Sequence, residues 1–475
     1  MKSDSFLTPS GVSAPAAYNL AYIWLICLVA AMGGLLFGYD WVVIGGAKPF
    51  FEPFFQLNDE WRQGWANSCA LLGCLLGTLA CGGLSDRFGR KWLLVLAAGL
   101  FAVSSLLTGL APNFLWFVVW RIAGGVAIGM ASNLSPMYIA EIAPAHLRGR
   151  LVAVNQLTIV VGILLAQVVN WAIAEHVPND ATADFIRQSW NGLSGWRWMF
   201  AAVAIPSLAF LAGALAIPES PRWLVKNGRA DRARTILARI GGAAYAAVET
   251  ADIQATISRH ETQRVRFADL LEPKMFRILV IGATLAVLQQ WSGINVIFNY
   301  GEQVYKQAGY GVSSMLWYNV LTGLVMLVFT IIAIQTVDRF GRRALMLWGC
   351  AGIGILHGLI GLGYHFKMHG LMVVVPIIAT IACYSFSLAP VTWVLISEIF
   401  PNRIRGAAIS VAVAALWIAC FILTFCFPLL EKRLGLSATF WLYGSICAAG
   451  FFFILFRVPE TKGKSLEQIE RELVD

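Results

Sequence analysis

Charge is scarce in this chain: Asp, Glu, Lys and Arg make up 13% of its 475 residues, against about 25% in soluble domains. A chain so poor in charge and 58% hydrophobic does not form a soluble globular domain, and its mean hydropathy of +0.70 marks a polytopic membrane protein. Histidine is rarer still. The six histidines (His146, His176, His260, His357, His365 and His369) form no triad or metal spacing beside a suitable partner, which sets an enzyme aside. All nine cysteines fall within apolar segments and none shows ligand spacing with histidine, so neither a metal centre nor a disulfide framework is expected. They read as small apolar packers. The net charge of +9 does not signal nucleic acid, because the basic residues gather in short loops between apolar runs. Residues 1–19 are polar with a lone Lys2, and the apolar run after them is too long for a signal-peptide core.

What the chain does have is long uncharged runs. A membrane span needs about 20 apolar residues, and runs meeting that length lie near 20–47, 62–84, 92–111, 114–139, 151–173 and 197–217. Six more lie near 276–300, 314–337, 344–364, 371–397, 406–430 and 438–457. The expected fold is therefore an all-α membrane protein of twelve transmembrane helices. Its divisions are a tail at 1–19, a six-helix half at 20–217, a linker at 218–275, a second six-helix half at 276–458, and a tail at 459–475. In the linker, "PESPRWLVKNGRADRARTILARI" alternates Arg with Leu, Ile and Ala at helical spacing, which predicts short amphipathic helices at the membrane surface. Arg87, Arg90, Lys91, Arg148, Arg150, the linker, Arg339, Arg342, Arg343, Arg403 and Arg405 all fall on one side. The opposite loops carry few cations, Lys48 among them. Both termini are then cytoplasmic, in a plasma membrane, or an inner membrane in a bacterium.

The halves repeat. "GLSDRFGRKW" (83–92) matches "TVDRFGRRAL" (336–345), and "AEIAPAHLRGR" (140–150) matches "SEIFPNRIRGA" (397–407). Each half holds six spans, so both run in the same direction, the parallel repeat of major facilitator transporters. In order along the whole chain stand "DRFGRK", "PMYIAEIAPAHLRGR", "PESPRW", "QQWSGIN", "DRFGRR", "EIFPNRIRG" and "PETKG". Together they resemble the sugar-porter family, which includes bacterial proton–sugar symporters and facilitative glucose carriers. The expected partners are a small sugar, protons and the bilayer, with no cofactor beyond the coupling proton, in a monomer.

One acid stands out. Asp40, in "FGYDWVVIGG", lies inside the first apolar run, where an ionised carboxylate costs several kcal/mol unless paired, hydrated or protonated. Arg121 lies about seven residues, roughly 10 Å, into span four, a depth matching that of Asp40 in span one, so the two can pair. The resemblance implies a mechanism: protonating the Asp frees the Arg and permits the transition with sugar bound.

The sugar site is expected near the midplane between the halves. Gln156, Gln289, Gln290, Asn295 and Trp417 lie at depths that converge there. Amides both donate and accept, matching the hydroxyls of a pyranose without a charge. Trp393 and Trp417 can stack on its C–H face. The resemblance adds Phe37, Ile163 and Asn299 to this set. It also implies an intracellular charge network of Asp86, Arg87, Arg90, Glu141, Arg148, Glu219 and Arg222 in the first half. In the second half the members are Asp338, Arg339, Arg342, Arg343, Glu398, Arg405 and Glu460. Helix-end charges of this kind can link the halves when the cytoplasmic side is closed; the plain alternative is solvated ions worth about 0–1 kcal/mol a pair.

The chain departs from the family's pattern at the site. Met326 stands where an Asn commonly contacts sugar, Asn299 where a Tyr is usual, and Leu416 and Cys420 replace residues that are often polar. The leading reading is a proton-coupled symporter importing a hexose or pentose by alternating access. A facilitative uniporter, a carrier of polyols or other small polar solutes, and a non-transporting sugar sensor follow.

Overall fold

In hydrocarbon a backbone N–H or C=O has no partner but the chain itself, so long apolar runs must close their hydrogen bonds as helices. The computed structural model describes residues 18–261, 270–401 and 404–462, with short pieces at 5–7, 13–15, 464 and 468. The pieces at Ser5–Leu7 (β1) and Ser13–Pro15 (β2) pair antiparallel. The remainder is helical.

The first group comprises α1 (Leu20–Phe55), α2 (Glu60–Phe88), α3 (Arg90–Gly109), α4 (Phe114–Ile142) and α5 (Ala145–Ile173). A short α6 (Ala183–Gln188) then leads through a π-turn at Asn191–Gly195 into α7 (Trp196–Ala201) and α8 (Ala204–Ala216). Side-chain oxygens of Asn19, Asp59 and Asn113 accept from backbone N–H groups at the starts of α1, α2 and α4, satisfying donors that have no partner in the helix. On the linker lie α9 (Pro221–Lys226) and α10 (Ala230–Glu261), the latter kinked at Gly241 and Gly242. The second group is α11 (Pro273–Trp291), α12 (Ile294–Asn299), α13 (Gly301–Gln307), α14 (Val312–Phe340), α15 (Arg342–His365), α16 (Leu371–Phe386), α17 (Leu388–Ile399) and α18 (Arg405–Arg457). Among the described residues, eleven helical stretches are long and apolar enough to cross a membrane. The last of these is interrupted by Gly435, whose φ of 75° is non-helical.

Three of these helices correct the sequence-based boundaries. The first run was bounded at 47, yet α1 continues through Pro49 and Pro53 to Phe55. Lys48 is thus no loop cation: it is part of the helix and fully buried. Asp40 then lies fifteen residues from the end of α1, roughly 22 Å rather than 10 Å. The run at 276–300 is broken between α11 and α12 at Gly293, where φ is +84°. The run at 371–397 is broken at Ser387, between α16 and α17.

Small residues set how closely the helices approach. Gly73 and Gly77 on α2 face Gly125 and Gly129 on α4, and a methyl group at any of the four would collide with backbone of the opposite helix. This is the small-xxx-small contact of membrane helices. It seats α4, and with it Arg121, against α2. Within the first group α1 packs on α5 and α2 on α4; within the second, α15 and α11 pack on α18. The seam between the groups is formed by α2 against α18 and α5 against α14.

Candidate functional site

The acid and base singled out by depth meet. Arg121 Nη1 donates to Asp40 Oδ1 at 2.8 Å, and both side chains are almost fully buried. A second arm reaches the Asp40 carbonyl at 3.5 Å, and the guanidinium lies over the Phe200 ring at 5.3 Å. Among the described residues Asp40 Oδ2 and Arg121 Nε have no protein partner. A cavity of about 10 Å³ adjoins Arg121, lined also by Trp41, Asn67 and Asn299. That is room for about one water molecule.

The break in the α11–α12 rod positions the amides. Gln289 and Gln290 end α11, and Asn295 begins α12 beyond Gly293. They form a chain in which Asn295 Nδ2 donates to Gln290 Oε1 at 2.6 Å and Gln290 Nε2 to Gln289 Oε1 at 3.2 Å. Gln289 Nε2 then donates to the Ala389 carbonyl at 3.2 Å, at the start of α17. One broken helix thus anchors to the other. The ring of His357, buried on α15, is 2.7 Å from the Ser292 carbonyl at the break; sequence reading assigned this residue no role.

Around the amides stand aromatic rings. The Trp417 ring on α18 lies 5.9 Å from Phe37 and 5.9 Å from Trp41, both on α1. Trp41 was not among the expected residues. Trp393, on α17 one turn beyond the Ala389 carbonyl that Gln289 reaches, lies outside this ring cluster among the described residues and is the most exposed of the set at 36%. Ile163 is buried on α5, its backbone beside Gly38, and Gln156 is half-buried on the same helix. Asn299 is buried at the end of α12. Met326, Leu416 and Cys420 are all buried, and Cys420 Sγ lies 3.4 Å from Asn295 Nδ2.

The Arg-rich turns carry two similar clusters. Arg90 Nη2 and Nε each reach Glu141 at 3.0 Å, while Glu219 accepts from the backbone N–H of Arg90 at 2.9 Å and of Lys91 at 3.1 Å. In the second group Arg342 reaches Glu398 at 3.3 Å, while Glu460 accepts from the backbone N–H of Arg342 at 3.0 Å and of Arg343 at 3.1 Å. Each glutamate caps the start of a helix, α3 or α15, across a turn held by Gly89 or Gly341 at φ near +90°. Such φ values favour glycine.

Asp86 pairs with Arg90 at 3.3 Å and Lys226 at 3.0 Å, and Arg87 lies over the Phe88 ring. Burial and Asp252 push the Glu249 carboxyl on α10 up, while the charge of Arg148 pulls it down, which places Arg148 over the linker. Arg222 and Arg339 are exposed, and Arg343 Nη2 donates to the Leu455 carbonyl. The side chains of Asp338 and Arg405 lie outside the described residues, as do Arg403 and most of 463–475. These bonds hold each cluster to itself. Ion pairs between the groups, made by other residues than these, are found at the opposite end of the bundle, where Lys48 reaches Glu302 at 3.3 Å and Lys432 pairs with Glu60.

Comparison with known proteins shows the family and the fold. Residues 26–473 match the family model described as "Sugar (and other) transporter". The chain is 38% identical over 489 residues to the D-xylose-proton symporter of Escherichia coli K12, covering 95% of this chain and 96% of that protein. It is 40% identical over 478 residues to the glucose transport protein of Synechocystis sp., covering 98% and 100%. The partially occluded inward open conformation of the xylose transporter XylE from E. coli superposes with a TM-score of 0.81 at 35% identity, covering 94% of this chain and 100% of that one.

Proposed function

Because this chain belongs to the sugar (and other) transporter family, we propose that it is a proton-coupled symporter importing a hexose or pentose by alternating access. The observation that carries the proposal is the buried Arg121–Asp40 contact, which lies on α1 between Phe37 and Trp41 and beside a small cavity that Asn299 also lines. A neutral sugar needs no buried ion pair for its recognition. An intramembrane pair beside such a site is instead suited to carrying a proton.

In this reading the carboxylate of Asp40 takes a proton from the outer side and releases Arg121. Gln156, Gln289, Gln290, Asn295 and Asn299 hydrogen-bond the hydroxyls of the sugar, and Phe37, Ile163, Trp393 and Trp417 cover its C–H faces. The protein acts as a monomer without a cofactor, the proton being the coupling ion. Its helices form two parallel six-helix repeats, at 20–217 and 276–458; the break at Gly435 divides α18 into the last two of twelve spans. Excess Lys and Arg at the turns bounded by Gly89 and Gly341 supports a cytoplasmic placement for that end and for both termini, in the plasma membrane or, in a bacterium, the inner membrane. The ion pairs at the opposite end support a form closed to the outside.

The burial of Met326 and Leu416 favours a second reading, a carrier of polyols or other small polar solutes on the same framework. The two are separated by purified protein in liposomes, where internal pH is followed while xylose, glucose, arabinose and inositol are added in turn. A symporter of sugars acidifies the lumen with one or more of the three sugars. Transport of labelled sugar without a pH change would remove proton coupling, and transport of inositol alone would establish the second reading.

A further inference from the structure

Lys48 is fully buried, an unusual state for lysine, which is almost never so unless paired. Its ammonium is shared between Glu52, one turn along α1 at 3.2 Å, and Glu302 on α13 at 3.3 Å. It also lies over the Tyr300 ring at 5.5 Å, and that tyrosine donates to the Thr424 carbonyl on α18. Glu431 on α18 is within electrostatic reach of Lys48 and Glu302. Asn67 on α2 donates to Glu52 and lines the same small cavity as Arg121. Helices α1 and α2 of the first group and α13 and α18 of the second therefore meet around one cation.

We infer that Lys48, Glu52 and Glu302 form the latch of the outer gate, with Lys48 as its moving charge. The inference rests on the transporter reading given above. The two arms differ in kind. The arm to Glu52 lies within α1 and survives any rigid movement of that helix, so Lys48 keeps a counter-ion when the gate opens. The arm to Glu302 crosses between the groups and must break for the outer side to open. Glu302 is the most exposed of the three, with 22% of its side chain accessible, and it borders a cavity of about 50 Å³ lined also by Val177, Asn179 and Lys306. Water entering there reaches the arm that has to part. The Lys432–Glu60 pair also crosses between groups, but Lys432 is 66% exposed, and exposed pairs are screened and weak.

The latch also reaches toward the coupling pair. The Asn67 amide donates to Glu52 and to the Gln63 carbonyl, while its Oδ1 has no partner among the described residues. Withdrawal of Glu302 from Lys48 changes the field felt by Glu52, the acceptor that holds Asn67 against the wall of the Arg121 cavity. Opening of the gate is thereby felt beside Asp40.

Hydrogen–deuterium exchange on the full-length protein in detergent tests the latch without sugar or a proton gradient. Glu302→Gln removes the charge of the crossing arm and leaves the arm to Glu52 in place. It is expected to speed exchange at least threefold in peptides covering 45–60 and 296–312, and to slow it at the turns around 85–92 and 338–345, as the outer side opens and the basic end closes. Lys432→Gln is expected to leave both regions as in the parent. If Glu302→Gln does not fold, Glu302→Asp keeps the charge, shortens its reach, and should give a smaller shift of the same sign. Parent-like exchange at both ends overturns the latch, as does an equal shift from Lys432→Gln or a uniform rise across all peptides. None of these outcomes depends on which solute is carried, so a failed latch is distinct from a failed transport reading.

Discussion

Replacing Asp40 by Asn tests the proposed coupling pair most directly, because the amide has the shape of the protonated acid and cannot lose a proton. Arg121 and Asp40 are in contact at 2.8 Å and each is only 4% exposed. At an effective dielectric constant near 20, unit charges at that distance attract by roughly 6 kcal/mol. Desolvation offsets much of this, and losing one partner of a buried pair typically costs about 3–5 kcal/mol. That energy biases the conformational balance by a factor on the order of 10² to 10⁴ toward states that hydrate Arg121. The parent can be driven by a potential of about 100 mV, inside negative, worth about 2.3 kcal/mol per charge. At about 1.4 kcal/mol per tenfold, one proton per sugar supports roughly fifty-fold accumulation. Asp40→Asn should accumulate labelled sugar no further than equality across the membrane, while retaining binding or counterflow in the same liposomes. Accumulation above about tenfold in the variant would refute the coupling role and leave the pair a structural one.

Other perturbations separate contacts from scaffolding. Gln290→Ala should weaken sugar binding by about 1–3 kcal/mol with little loss of thermal stability, since its amide bonds only to neighbouring amides; calorimetric titration and a melting curve read both. Gln289→Ala should lower both quantities, because its amide also satisfies carbonyls at the start of α17. Met326→Asn should tighten or broaden recognition across a sugar panel, and an unchanged panel would show that Met326 does not face the sugar. Gly125→Val should prevent recovery of folded protein, because the space is occupied by the Ala70 carbonyl, whereas Gly82→Ala, which meets nothing within 4 Å, should be recovered like the parent on size-exclusion chromatography.

Much of the helical layout was legible because hydrocarbon forces backbone polar groups to pair within each run, so the length of a run nearly determines its structure. The Asp40–Arg121 contact was legible because few cations stand inside apolar runs, although the depth count behind it was off: Asp40 lies fifteen residues from the end of α1 and Arg121 seven from the start of α4. The end of α1 was misplaced because the apolar run stops at the charged Lys48, with Pro49 after it. In a membrane helix proline is tolerated where neighbouring groups satisfy the freed carbonyl, and here α1 continues past it. That error hid Lys48, which reads as a loop cation if the helix stops at 47. The break at Gly293 left a trace in "WSGIN", since φ near +84° favours glycine. The break at Ser387 left a fainter one in Pro390, which stands in the first turn of α17 where its missing N–H costs nothing, and Gln289 takes up carbonyls of that turn.

The charged clusters were legible as residues but not as a circuit, and the distinction bears on how the protein moves. Glu219 and Glu460 bind backbone N–H groups at the starts of α3 and α15, where the helix dipole favours an anion. Arg90 and Arg342 close each cluster onto Glu141 and Glu398. A network so satisfied within one group keeps that group rigid and loses none of these bonds when the basic ends separate. At the opposite end the Lys48–Glu302 contact must be broken for the groups to part. The asymmetry favours a form closed at that end and open at the basic one whenever neither sugar nor proton intervenes. In the proposed mechanism, binding at Asp40 and the amide cluster supplies the energy that reverses the preference, which is the work a symporter couples to its gradient.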